Sequence, residues 1–260
     1  PDNGINRADF LRSINIVFDA GEPARIAHYY PTEKSAALLR KLVSRDNERA
    51  LLVVAPYGSG KSLIGAYALH TIENLPVGRS VLKELNGRLE SVDADLADWQ
   101  GKRISKWSQR GVGITLHGFA EDPVRQLLNA ACDSFERLDK PNEAKPIRAL
   151  LKNESVELLD GLAVLKQCVT KAKLDRVLIV WDEFGRHLET LISEGRSAEL
   201  IDLQTLAEFV ARQKSIPFSL SLFLHQGFLN YASNLPQSIR REWKKIEGRF
   251  LSVDYVEDSR

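Results

Sequence analysis

Two short stretches carry residues whose types and spacing suit one chemistry. APYGSGKS, residues 55–62, follows the apolar run LLVV, and Asp182-Glu183 closes the apolar run VLIVW. Holding a chain of phosphates takes several backbone N–H groups converging on one point, a helix N-terminus behind them, a lysine for the outer phosphates and a hydroxyl for magnesium. The first stretch offers each of these at the required spacing. Gly58 and Gly60 permit backbone angles and a close approach that a side chain would obstruct, Lys61 can reach β and γ phosphates, and Ser62 can ligate Mg²⁺. Pro56, Tyr57, Ser59 and Leu63 complete the segment expected to bind the nucleotide. The second stretch supplies the acidic groups. At the carboxyl end of a buried strand, Asp182 would face the same crevice and bind Mg²⁺ through water, and Glu183 would orient or deprotonate a water attacking the γ-phosphate.

Those roles require both stretches to end strands of one sheet. ALLVVA is a continuous apolar run of the kind shown by a parallel strand covered on both faces, and SLIGAYALHTIENL after the glycine turn reads as a helix. PTEKSAALLRKLVSRD predicts a helix at about 32–44. Further strands are expected in GVGITLHGF, DRVLIVWDEFG, PFSLSLFLHQG and RFLSVDYV. Between them lie helix EDPVRQLLNAACDSFERL, a long helical stretch from ETLISEG through DLQTLAEFVARQK, and basic helix SIRREWKKIEG. Strands alternating with helices imply an α/β fold with a mostly parallel central sheet. Residues 79–108 show helical periodicity with a turn signal only near Gly87 and are read as one helical insertion; a second covers about 140–172. Residues 1–30 are read as an N-terminal extension ahead of a core spanning 31–256.

Composition narrows the class. At 260 residues, 43% hydrophobic and 27% charged, the chain suits one sizeable soluble core with appendages. Lys and Arg number 36 against 35 Asp and Glu, so no global charge draws it to nucleic acid or a membrane. Cys132 and Cys168 lie in apolar helix-like stretches without a CxxC, which argues against a disulfide framework and for a cytoplasmic compartment. No apolar run reaches about 18 residues, and PDNGINRADF lacks the layout of a signal peptide, so no membrane partner is expected. The five histidines show no HExxH spacing, no GxSxG elbow occurs, and His187 is expected on a helix surface. Methionine is absent even at position 1, and both ends are read as artificial boundaries.

Together APYGSGKS and VLIVWDEFG resemble the Walker A and Walker B motifs of the P-loop ATPases that carry a catalytic glutamate, the group that includes the AAA+ family. The likeness covers about 30–256, with Ala55 where a first glycine is usual, an alternative common in that superfamily. It implies a three-layer αβα sandwich, ATP and Mg²⁺ as ligands, Lys61 and Glu183 in catalysis, and Ser62 and Asp182 at the metal. It also implies a sensor at the end of the fourth strand, here His225 or Gln226, where asparagine or threonine is commoner. An arginine finger is implied ahead of the fifth strand, Arg249, with Arg240 and Arg241 as competitors, acting in a homo-oligomer or on partner subunits. The family's adenine pocket maps near HYYPT, where Tyr29 or Tyr30 would stack on the base. No NKxD-type segment occurs, which favours adenine over guanine. The helical lid that closes AAA+ modules has no counterpart before Arg260. The pattern is similar to ATPase modules of large bacterial proteins, some associated with defence against phage.

Three functions follow: an ATPase that drives conformational change or assembly of a larger complex, an ATP-controlled switch with little turnover, and a DNA-remodelling ATPase. The last would use residues 240–249, where Arg240, Arg241, Lys244, Lys245 and Arg249 surround Trp243. A solvated basic helix with its tryptophan folded into the core explains the same letters.

Overall fold

The computed structural model describes residues 14–44, 49–106 and 108–256; residues 1–13 of the expected extension and 257–260 lie outside the described residues. The apolar runs become five strands, β1 (Ala50–Val54), β2 (Val112–His117), β3 (Val177–Asp182), β4 (Phe218–Leu224) and β5 (Leu251–Asp254). They form one sheet in the order β2-β3-β4-β1-β5, and every neighbouring pair is parallel. β3 and β4 are buried at every position, as strands covered on both faces must be, whereas β5 at one edge alternates half-buried and exposed residues.

Alternation along the strands separates two cores. Leu51, Val53, Leu178, Val180 and Phe223 pack with α1 (Glu33–Val43), α2 (Lys61–Glu73), α3 (Arg79–Glu90) and α4 (Ala94–Ser105). Leu52, Ile179, Leu220 and Leu222 turn the other way. They meet α5 (Pro123–Arg137), α6 (Lys145–Leu150), α7 (Leu158–Lys171), α8 (Phe184–Ser193), α9 (Ile201–Arg212), α10 (Phe228–Tyr231) and α11 (Gln237–Glu247). The architecture is thus α/β, with helices on both faces of an all-parallel sheet. No helix among the described residues is long and apolar enough to cross a membrane. Cys132 and Cys168 are buried and unbridged.

α2 is buried all round and therefore shows no single apolar stripe. It lies close against the sheet: a Cβ on Gly113 of β2 would come 2.8 Å from Leu69, and one on Gly65 would come 2.9 Å from Phe223. Its far end is pinned by charge. Glu73, fully buried, accepts from Arg137 of α5 through both carboxylate oxygens, at 2.6 Å from Nη2 to Oε1 and 3.0 Å from Nε to Oε2, and Oε1 also accepts from the Gly113 N–H at 3.2 Å.

Three expectations are corrected. The 79–108 stretch is two helices that break at residues 91–93, not at Gly87, because Asp93 accepts from the Leu96 N–H at 3.0 Å and so starts α4. The long stretch before β4 divides near Gly195, which takes φ +70° after α8. His187 is buried, because Phe184, His187, Leu188 and Leu191 form the i, i+3, i+4, i+7 stripe of α8 that faces the core. Its ring meets Trp181 at 4.8 Å and Phe184 at 5.4 Å, and the Ala120 N–H donates to its Nδ1 at 3.4 Å.

Burial, reinforced by the charge of Arg196, lowers the His187 pKa from 6.5 to about 4. His70 on α2 is lowered to about 4 by burial and then by Arg137. Both histidines are neutral in the native state, while the unfolded chain takes up two protons as pH falls below about 6.5. Their contribution to stability is complete above that value and is lost progressively toward pH 4. The urea midpoint should therefore fall steadily between about pH 6.5 and pH 4, and His187→Gln and His70→Gln should each flatten the slope. Unchanged slopes in both variants would remove these histidines as the cause.

Candidate functional site

The β1-to-β2 connection passes β4 and β3 in one direction, and the β4-to-β5 connection passes β1 in the other. Connections that diverge in this way open a crevice at the carboxyl ends of the strands, which is where open parallel sheets bind ligands. The Ala55 N–H after β1 donates to the Leu224 carbonyl at 2.9 Å, and the Ser59 N–H closes the turn on the Pro56 carbonyl at 3.3 Å. Gly58 and Gly60 take φ +75° and +83°, a region where any other residue is strained. Gly60 caps α2, whose first intrahelical bond runs from the Ile64 N–H to the Gly60 carbonyl at 3.1 Å. The amides of that first turn therefore face outward without a helical partner.

Lys61 is buried, its Nζ 3.4 Å from the Ala55 carbonyl and 5.4 Å from the Tyr57 ring centroid. Across the crevice, β3 ends on buried Asp182, whose Oδ1 accepts from the Glu183 N–H at 2.8 Å. Glu183 caps α8 at φ +50°, ψ +37°, a left-handed conformation that is costly for a residue with a Cβ and is found where surrounding structure imposes it. Its Oε2 lies 2.6 Å from Arg186 Nε, in an ion pair without hydrogen-bond alignment, and 4.0 Å from Nε2 of His117, the residue that ends β2 in register with Asp182.

These groups line one cleft of about 590 Å³. Its walls are Tyr57, Gly58, Ser59, Gly60, Lys61, Ser62 and Leu63 of the turn, then His117, Asp182 and Glu183, and finally Ile14, Asn15, Arg25, His28, Tyr29 and Tyr30 from the N-terminal segment. That segment is folded onto α2 by Ile16 and Ile26, with a 3-10 turn at Pro23–Ile26. No protein-family model, curated protein or solved structure matches the chain.

The donor set fits a magnesium–phosphate group. An added Cβ on Gly58 or Gly60 would meet nothing, so the turn borders open space, and the buried Ser59 Oγ has no hydrogen-bond partner among the described residues. The Ser62 hydroxyl and the Asp182 carboxylate on the same cleft are hard oxygen donors of the kind magnesium prefers.

The remaining expected residues lie outside the lining. Pro56 is exposed at the start of the turn. His225 reaches the cleft only through Tyr57. The two rings stack at 4.5 Å and 25°, and Tyr57 Oη is 3.3 Å from His225 Nε2. His225 also faces Glu189 at 3.6 Å, and only glycine fits beside it at 185, where a Cβ would come 2.9 Å from the imidazole and 2.2 Å from the Tyr231 hydroxyl. Gln226 is exposed. Arg249 precedes β5, so in its own chain it lies at the opposite end of the sheet from the cleft, where it pairs with Glu208 at 3.2 Å. Trp243 is buried against Phe228 at 5.1 Å and offers no ring for stacking on a base, while Arg240, Arg241, Lys244 and Lys245 remain exposed on α11. His117, Asn15 and Arg25 were not expected. For His117 the signal is present in the sequence, a polar residue between an apolar run and a glycine, as in the fourth strand.

Proposed function

We propose that the chain is the ATP-hydrolysing module of a P-loop ATPase with a catalytic glutamate, using MgATP to drive rearrangement or assembly. The observation that carries this reading is the meeting, on one cleft, of a left-handed glycine turn holding Lys61 and the acidic pair at the end of β3, whose Glu183 takes a strained left-handed backbone. Outward amides of the turn and the Lys61 ammonium bind and orient the β and γ phosphates, and Ser62 and Asp182 hold the metal. Bound magnesium would neutralise charge on the phosphates during transfer. Glu183 positions the attacking water and takes its proton, once its carboxylate leaves Arg186. Tyr29 and Tyr30 flank the base. Tyr57 and His225 link the phosphate turn to α8, so a change at the outer phosphate can be transmitted to that helix. Arg249 acts on a neighbouring copy, since it cannot reach its own cleft.

The test compares ATP and GTP hydrolysis with Mg²⁺ in the wild type and Lys61→Ala, with mass followed by light scattering. ATP should be turned over in preference to GTP, assembly should depend on ATP, and Lys61→Ala should abolish both. Tight binding of ATP without turnover would favour the switch. Stimulation by DNA that falls steeply with salt would favour a remodeller gripping phosphates through α11. Absence of nucleotide binding would reduce residues 55–62 to a strand-to-helix turn.

A further inference from the structure

Residues 27–32, which join the Pro23–Ile26 turn to α1, form neither helix nor strand, and Pro31 has no N–H to offer. Yet Tyr29 and Tyr30 from this segment line the cleft. The N–H groups of Ala27 and Tyr29 bond back to the carbonyls of Ala24 and Ile26, and a side chain from another element holds the rest. Arg88, in the last turn of α3, donates through Nη1 to the carbonyls of Ala27 and Tyr29 at 2.6 and 2.8 Å, and its guanidinium lies 4.5 Å from the centroid of the Tyr30 ring. Tyr30 is 71% exposed, so this cation–π contact does most to set the direction of the ring. Arg88 itself projects from a fixed element. Leu82, Leu85 and Leu89 anchor α3 in the core, and Asp93 after it accepts from Arg40 Nε of α1 at 3.1 Å.

The geometry points to Arg88 as a positioning residue for the nucleotide's base. Through Tyr30 and two backbone carbonyls it sets the base-side wall of the cleft, and the α3–α4 insertion is thereby the element that selects a planar base. This rests on the nucleotide reading above. Arg88 does not line the cleft, so it touches neither phosphate nor metal. Its loss should be felt only by ligands that carry a base.

Calorimetric titration with MgATP and, separately, with inorganic tripolyphosphate plus Mg²⁺ tests this in the wild type, Arg88→Ala, Arg88→Lys, Tyr30→Ala and Tyr30→Phe. Tyr30→Ala and Arg88→Ala should each weaken ATP binding about 10-fold and leave tripolyphosphate binding unchanged. Tyr30→Phe, which keeps the ring, should bind ATP like the wild type. Arg88→Lys, which keeps a cation over the ring but loses the fork, should recover part of the affinity. The double variant Arg88→Ala/Tyr30→Ala should lose less than the product of the single losses, because both act through one wall. Equal weakening of both ligands, or no weakening of ATP in the Tyr30→Ala and Arg88→Ala proteins, overturns the inference while sparing the nucleotide reading. A wild-type chain that binds neither ligand overturns both.

Discussion

Glu183→Gln is expected to slow ATP hydrolysis by about 10²–10⁴-fold, the usual contribution of a positioned general base, while leaving ATP bound. Glutamine keeps the size of the side chain and tolerates the left-handed backbone at 183 about as well as glutamate, so the start of α8 should not move. What disappears is the ability to take a proton, together with the charge that pairs with Arg186. Lys61, Ser62 and Asp182 are untouched, so MgATP should accumulate on the protein. Single-turnover hydrolysis alongside equilibrium binding separates the two steps, and wild-type turnover in the variant would remove Glu183 from the chemistry. The same variant also divides the ATPase from the switch. An ATP-bound state trapped in an assembled form, with the output lost, is the mark of a motor; an output kept or strengthened is the mark of a binding-driven switch.

Glu73→Ala should destabilise the fold by about 3–5 kcal/mol, because it leaves the Arg137 guanidinium in a largely buried site without its counter-charge. The Gly113 N–H loses its acceptor in the same step. Replacing both partners with apolar residues, Glu73→Leu with Arg137→Leu, should recover most of the loss, since no charge is then stranded. Urea unfolding of the three proteins checks this, and a single variant as stable as the wild type would show that the pair contributes nothing. The position matters for the site as well. Lys61 begins α2 and Glu73 ends it, so loosening the far end frees the helix that presents the turn amides.

The strands, and the placement of the two stretches that close β1 and β3 beside one cleft, were legible because each depends on local signals, an apolar run and the residues that close it. The break at 91–93 was missed because a glycine is the louder turn signal, whereas Gly87 stays in α3 and the aspartate cap of α4 decides the boundary. His187 reads as a surface residue by its type alone, but its spacing from Phe184, Leu188 and Leu191 puts it on the apolar stripe. Trp243 follows the reading of a solvated basic helix with its tryptophan inward. Asn15, Arg25 and the strut from Arg88 could not be read at all, since they reach the cleft or its wall across tertiary contacts that leave no periodic trace. Arg249 could be placed before the fifth strand, but only the sheet shows that this is the end away from its own cleft.

The strand order also bears on how the chain is made. β1 leads the sheet in sequence, yet both its neighbours, β4 and β5, are drawn from residues 218–254. During synthesis its buried, apolar backbone therefore waits with both edges unpaired until nearly the whole described chain has left the ribosome, a condition that slows folding and exposes a strand to aggregation. Expression at low temperature or with chaperones, and truncations that stop before residue 218, would be expected to differ sharply in soluble yield.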